Sequence, residues 1–199
     1  MAFHLARLHA LNFRNHREAE ADLCAEVNCF TGPNGVGKTN LLDAVHYLAL
    51  GKGYLEAQDQ HNVRHGEELF VVQGVMRGDD GDDAVLCSVR RGMRKVLSRN
   101  RKEYGRLADH VGRYPVVMIT PYDGQLILDG SEARRRFIDG LIAQFDKPFL
   151  DALIRYNRAL TQRNALLKQA AERGGVQPSA LEPWDEQLCV LASAIHSAR

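Results

Sequence analysis

Apolar residues at Phe3, Leu5, Leu8, Leu11 and Phe13 recur around Arg7 and His9 in imperfect alternation, which predicts a first strand over residues 3–13. Arg14, Asn15, His16 and Arg17 interrupt the pattern and alternation resumes over 18–23, so the pair reads as a hairpin with a basic tip. Residues 27–31 (VNCFT) are β-branched and aromatic, the composition of a buried strand, and 116–120 (VVMIT) read as another fully buried strand, fenced by Pro115 and Pro121. Residues 69–76 (LFVVQGVM) and 84–89 (AVLCSV) predict two more strands, joined by an acidic Asp-Gly turn over 78–83. Between these, Leu41, Leu42, Val45, His46, Leu48 and Ala49 fall at helical spacing until Gly51, and the polar stretch with Asp59, Gln60, His61 and His65 reads as solvated loop without metal-ligand spacing.

The texture changes near Gly130. Residues 125–128 suggest a short helical turn closed by Asp129-Gly130. Ser131 then reads as an N-cap before a stripe of Phe137, Ile138, Leu141, Ile142 and Phe145. Asp146-Lys147-Pro148 starts another helix, which runs to Gly174-Gly175. Ser179 and Glu182 suggest a capping box before a last helix containing Trp184 and Leu188. The aromatic positions of these helices suit a helix–helix core better than a base-stacking platform. The expected organisation is α/β: a strand-rich lobe over 1–130 and a helical arm over 131–199.

Residues 32–39 read GPNGVGKT and run straight into Asn40, Leu41 and Leu42. In the form G-x-x-x-x-G-K-[ST], glycines let consecutive N–H groups turn inward without Cβ clashes, at the positive end of the following helix. Gly32, Pro33, Asn34, Gly35, Val36, Gly37, Lys38, Thr39 and Asn40 are therefore the candidate nucleotide contacts. Lys38 would reach the β- and γ-phosphates of ATP and the Thr39 hydroxyl would ligate Mg²⁺. The bland reading is a glycine-rich turn that happens to precede a lysine. Arg14 reads either as an exposed turn charge or as a cation leaning over the nucleotide. Arg90, Arg91, Arg94, Lys95, Arg99, Arg101 and Lys102 read either as a solvated face or as a phosphate-backbone patch.

Composition narrows the setting. With 199 residues and a net charge of +1, the chain can bury a core and carries no global field toward nucleic acid or membrane. It has no long apolar run and no basic-then-apolar leader, and its four cysteines show no C-x-x-C spacing, so a cytoplasmic, reduced setting without membrane insertion is expected. The 116–120 run ends in Thr120, not in the carboxylate that P-loop hydrolases place on the Mg²⁺ shell.

Together, further blocks resemble the RecF family of bacterial recombination-repair proteins, relatives of SMC-type and ABC-type ATPase heads. Leu8 with Leu11-Asn12-Phe13-Arg14-Asn15 is similar to the family's opening L-x-x-x-N/D-F-R-N. The phosphate loop continues as GKTNLLDAVHYLALGKGY, like the family's GKTNLLEAIYYLALGRSF. PYDGQLILDGSEARRRFID, residues 121–139, resembles the signature P-[ED]-x-x-x-L-[LIV]-x-G-[GSAD]-P-x-x-R-R-x-[FY]-[LIV]-D, with Tyr122, Asp129 and Ser131 as departures. Tyr156-Asn157-Arg158, Gln162-Arg163-Asn164 and Pro183-Trp184-Asp185 resemble the family's helical arm, whereas Gly53-Tyr54-Leu55 departs from its usual Ser/Ala-Phe-Arg.

The resemblance implies a P-loop NTPase fold, an ABC/SMC-type head lobe with an antiparallel β subdomain followed by a helical arm. It also implies ATP and Mg²⁺ as cofactors, an ATP-dependent homodimer that clamps DNA, and partners of the RecR and RecO type. The expected work is recombinational DNA repair, replication-fork maintenance and the SOS response to DNA damage, at junctions of single- and double-stranded DNA where recombinase is loaded. Arg134, Arg135, Arg136 and the basic residues of 90–102 are then the DNA candidates. The chain reads as the N-terminal portion of such an ATPase, short of the acidic and serine-glycine segments, so slow ATP turnover on its own is expected. A self-contained P-loop phosphotransferase or GTPase is the rival, and would need its own acidic strand or an N-K-x-D motif.

Overall fold

The computed structural model describes residues 3–124, 126, 130–172, 175 and 177–199, apart from the side chains of Tyr122 and Pro178. The chain divides into two compact units, Met1–Thr120 and Pro121–Arg199.

The first unit is built on a six-stranded antiparallel sheet, β1 (Phe3–Phe13), β2 (His16–Asp22), β3 (Leu69–Gly78), β4 (Gly81–Arg90), β5 (Val96–Arg99) and β6 (Lys102–Glu103). The strand order is β2-β1-β3-β4-β5-β6. Alternation decides which face is dry: Leu8, Ala10, Phe70, Val72, Val85, Cys87 and Leu97 all point to the same buried side. Helix α1 (Lys38–Leu50) lies on that side and buries Ala44, Tyr47, Leu48 and Ala49, while Leu42 faces out. Its seat is aromatic. Tyr47 meets Phe70 edge-on at 5.2 Å and Phe13 at 5.9 Å, and Phe13 meets Phe70 at 5.1 Å. Such edge-to-face contacts add to the burial of the rings.

Polar ties fix the helix as well. The Tyr47 hydroxyl donates to Asp59, whose carboxylate also pairs with Lys95 at 2.7 Å. His110, wholly buried, donates its Nε2 proton to the Leu48 carbonyl at 2.7 Å. The stretch containing Asp59 to His65 is thus not a simple solvated loop. It forms a 3₁₀ turn over Asp59–Asn62, with Asn62 buried and its amide donating to the carbonyls of Glu56 and Gln58. The basic run over 90–102 also holds structure that its charge concealed, the short β5–β6 hairpin turning at Asn100 and Arg101.

Two expected strands do not form. Residues 27–31 and 116–120 have no ladder partner among the described residues, and Val27, Val117 and Ile119 are 82%, 59% and 79% exposed. Composition gives β-propensity, but a strand needs a neighbour for its N–H and C=O groups. Met118 and Thr120 are nevertheless buried, and Val116 packs on the core.

The second unit is helical, with α2 (Ser131–Phe145), α3 (Lys147–Glu172) and α4 (Glu182–Ala198). Helix α3 packs against both others, burying Phe149, Leu150 and Ala159, and α4 contributes Leu191 and Ile195. Arg163 of α3 pairs with Asp185 of α4 at 2.6 Å, and Arg199 grips Asp139 of α2 through two hydrogen bonds of 2.7 and 2.8 Å. The Asp146 carboxylate accepts the Phe149 N–H at 2.9 Å and so caps α3, as the Asp-Lys-Pro break suggests. The other caps differ from expectation. Gly130 occupies the N-cap position of α2 with Ser131 already helical, and a 3₁₀ turn over Pro178–Ala180 leaves Leu181 capping α4. Of the suggested helical turn over 125–128 only Leu126 is among the described residues, and Gly174 lies outside them. No described helix is long and apolar enough to cross a membrane.

Candidate functional site

The loop over 32–39 follows a stretch without regular secondary structure and enters α1 at Lys38. Gly32, Gly35 and Gly37 have φ of 145°, 84° and 101°, which side chains with a Cβ rarely adopt, and Gly37 is the left-handed N-cap. That sequence of conformations turns the loop back on itself around the Lys38 side chain. The Lys38 ammonium donates to the carbonyls of Gly32 and Pro33, each at 2.8 Å. No side chain caps the first turn of α1, so its leading N–H groups keep the partial positive charge of a helix start. Thr39 is exposed beside them and a Cβ on Gly35 would meet nothing within 4 Å, so the loop is open to a ligand. Anionic oxygens suit such a donor set, and the glycine conformations favour a phosphate cradle over a chance turn.

The β1–β2 hairpin tip packs on this loop. The Asn15 amide donates to the Gly35 carbonyl at 3.3 Å, and its oxygen accepts from the Asn40 amide at 2.8 Å. His16 Nε2 lies 3.0 Å from the Gly37 carbonyl; a carbonyl only accepts, so this nitrogen carries the proton. The fit is close. A Cβ on Gly37 would stand 2.4 Å from both Asn15 Oδ1 and His16 Nε2.

Arg14 is not an exposed turn charge. Its Nη2 is 2.7 Å from Oδ2 of Asp43, a wholly buried carboxylate on α1, and Asp43 Oδ1 accepts the Tyr54 N–H at 2.6 Å. Asn12 and Arg14 have φ of 51° and 53°, which costs on the order of 1 kcal/mol each for such residues. The neighbouring chain holds them there: Arg14 N–H bonds the Asn62 carbonyl at 2.8 Å and Arg64 N–H bonds the Asn12 carbonyl at 2.9 Å. Asn15, His16 and Asp43 are site residues that sequence reasoning missed. The available signals were two polar side chains at a hairpin tip and an acid among the apolar positions of α1.

The basic run over 90–102 separates into paired and outward residues. Lys95 and Arg99 are committed to Asp59 and Asp83, both at 2.7 Å, and Arg91 and Arg94 donate to the carbonyls of Glu67 and Gly105. Arg90, Arg101 and Lys102 point outward, and Arg101 holds φ of 65° at its hairpin tip. On α2, Arg134, Arg135 and Arg136 are exposed and reach the Leu126 carbonyl, Ser131 and Glu132. No group of His, Cys, Asp and Glu among the described residues could itself hold a metal ion.

The family model described as an AAA domain matches residues 7–169, a span that contains the hairpin tip, the loop and most of the helical unit. The chain belongs to the AAA-domain family. Within it the chain is of RecF type. It is 46% identical over 196 residues to the DNA replication and repair protein RecF of Phocaeicola vulgatus, covering 98% of this chain and 52% of that protein. It is similar to the solved structure of the recombination mediator protein RecF with ATP in the RecFOR pathway, with a TM-score of 0.90 and 29% identity over 98% of this chain and 52% of that one. The Smc head domain of Pyrococcus yayanosii, with its coiled coil and joint, shares the fold at a TM-score of 0.56 and 18% identity, covering 86% of this chain and 39% of that one. This RecF-type chain spans about half the length of the curated relatives it matches. Its fold is the mixed α/β P-loop ATPase fold of RecF and SMC heads.

Proposed function

We propose that this chain is the nucleotide-binding portion of an ATP-dependent DNA-binding protein of recombinational repair and replication. The observation that carries the reading is the placement of Lys38. Its ammonium sits inside a loop of left-handed glycines at the start of α1, held by two loop carbonyls that a triphosphate would replace as partners. The residues fit ATP: the N–H groups of residues 34–40 would hold phosphate oxygens, Lys38 would neutralise the β- and γ-phosphates, and Thr39 would offer its hydroxyl to Mg²⁺. Magnesium would rest on the Thr39 hydroxyl and the phosphate oxygens.

ATP supplies the phosphate charge that two such heads can share, so binding favours a closed homodimer and loss of the γ-phosphate favours its opening. Single- and double-stranded DNA would meet outward cations, for which Arg134, Arg135, Arg136, Arg90, Arg101 and Lys102 are the candidates. Partners of the RecR and RecO type and a cytoplasmic setting complete the reading, supported by the RecF-type relatives. Lys38→Ala should abolish ATP-stimulated DNA binding while the circular dichroism spectrum stays unchanged. ATP-stimulated DNA binding that survives this substitution contradicts the proposal.

A further inference from the structure

We infer that Asp43 is a positioning residue for the phosphate loop, acting through Arg14 and the tip of the β1–β2 hairpin. The inference rests on the reading of residues 32–40 as a nucleotide site and adds a part that loop residues alone do not supply. Asp43 lies on α1 beyond the loop and is wholly buried, so it has no direct route to a phosphate in that site. Its two oxygens are committed, one to the Tyr54 N–H at 2.6 Å and the other to Arg14 at 2.7 Å. A buried carboxylate so paired stays put, because removing either partner leaves an uncompensated charge.

Arg14 is thereby held from two sides, by Asp43 through its guanidinium and by the Asn62 carbonyl through its N–H at 2.8 Å. Its left-handed φ of 53° is a conformation that an arginine adopts only when its surroundings impose it. The next two residues are those that touch the loop. Asn15 holds the Gly35 carbonyl and the Asn40 amide, and His16 holds the Gly37 carbonyl. The ion pair therefore sets the height of the hairpin tip over the loop. A tip lowered onto the loop would drive Asn15 and His16 into Gly37, and a raised one would release the carbonyls that orient the loop's peptide planes. With its charge paired to Asp43, Arg14 contributes to nucleotide binding by placing Asn15 and His16.

A double-mutant cycle separates this from direct contact between Arg14 and phosphate. Titration calorimetry with MgATP would compare the protein with Arg14→Ala, Asp43→Asn and the double variant, with melting temperatures measured alongside. The inference predicts that each single variant weakens MgATP roughly tenfold or more, the scale of effect for a displaced positioning group. The double variant should be no worse than the weaker single, and Arg14→Lys should restore part of the loss. Because Asp43 is buried and its variants could unfold, Asn15→Ala provides an exposed second test, expected to weaken MgATP without moving the melting temperature. Asp43→Asn that binds MgATP normally while Arg14→Ala does not, or Asn15→Ala with unchanged affinity, would overturn the inference. Lys38→Ala distinguishes the two levels: a loss there with Asp43→Asn and Asn15→Ala both neutral refutes only the positioning role, whereas no loss there refutes the nucleotide site itself.

Discussion

Gly74 of β3 and Leu48 of α1 approach so closely that a Cβ on Gly74 would stand 2.7 Å from Leu48 Cδ1, with Leu5 Cδ1 also at 2.7 Å and the Arg7 carbonyl at 2.9 Å. The side chains could move, but the backbone oxygen of β1 could not without breaking its ladder. This missing methyl lets the helix that follows the phosphate loop lie directly on the sheet. Gly74→Ala should therefore lower stability by about 1–3 kcal/mol, the usual cost of overpacking, measured as a fall in the urea midpoint. An unchanged midpoint would show that α1 does not need this close seat.

Gly37→Ala tests the loop from the other side. The substitution strains φ of 101° and sets a methyl 2.4 Å from Asn15 Oδ1 and His16 Nε2. It should weaken MgATP by about two orders of magnitude, as displacing a binding loop by an ångström does, yet leave the sheet intact by circular dichroism. Normal nucleotide affinity in this variant would mean that hairpin and loop do not need their present contact.

Much of this was legible in the sequence, and the failures share a cause. The hairpin, the strands at 69–78 and 81–90, the loop and the long helices follow from local pattern, because their hydrogen bonds close within or between neighbours in sequence. What pattern could not show was pairing at a distance. Residues 27–31 and 116–120 have the composition of buried strands, yet their exposed Val27, Val117 and Ile119 show that composition does not provide a ladder partner. Tyr47 did not figure among the apolar positions of α1, although the ring cluster with Phe13 and Phe70 is what seats that helix. Arg14 and Asp43 are far apart in the chain, so nothing local announced that their charges cancel.

Cysteine reactivity separates core from surface. Burial pushes the Cys87 thiol up to about 12, so it holds almost no thiolate at pH 8, whereas Cys24, Cys29 and Cys189 are exposed. An aromatic disulfide reagent should modify those three residues in the native protein and reach Cys87 only after denaturant is added. Rapid native modification of Cys87 would contradict the packing of β4 against α1.

Burial also pulls His46 below its ordinary value, against the opposing effect of its Nδ1 hydrogen bond to the Lys52 carbonyl. Its folded pKa lies below the unfolded value of about 6.5, so the unfolded chain takes up the proton first on acidification. The contribution of His46 is thus fully present above that value and is lost as pH falls through the folded pKa. Unfolding free energy should decline from pH 7 to pH 5 more steeply in the parent protein than in His46→Gln. Parallel pH profiles would show that this histidine does not titrate differently on folding.

The central claim, that the loop between the hairpin tip and α1 holds the phosphates of ATP, is tested most directly by amide NMR. In ¹H–¹⁵N spectra of the labelled protein titrated with MgATP, the largest shifts should fall on Gly35, Gly37, Lys38, Thr39 and Asn40, with smaller ones on Asn15 and His16. Saturable shifts centred elsewhere, with these amides unmoved, would contradict it.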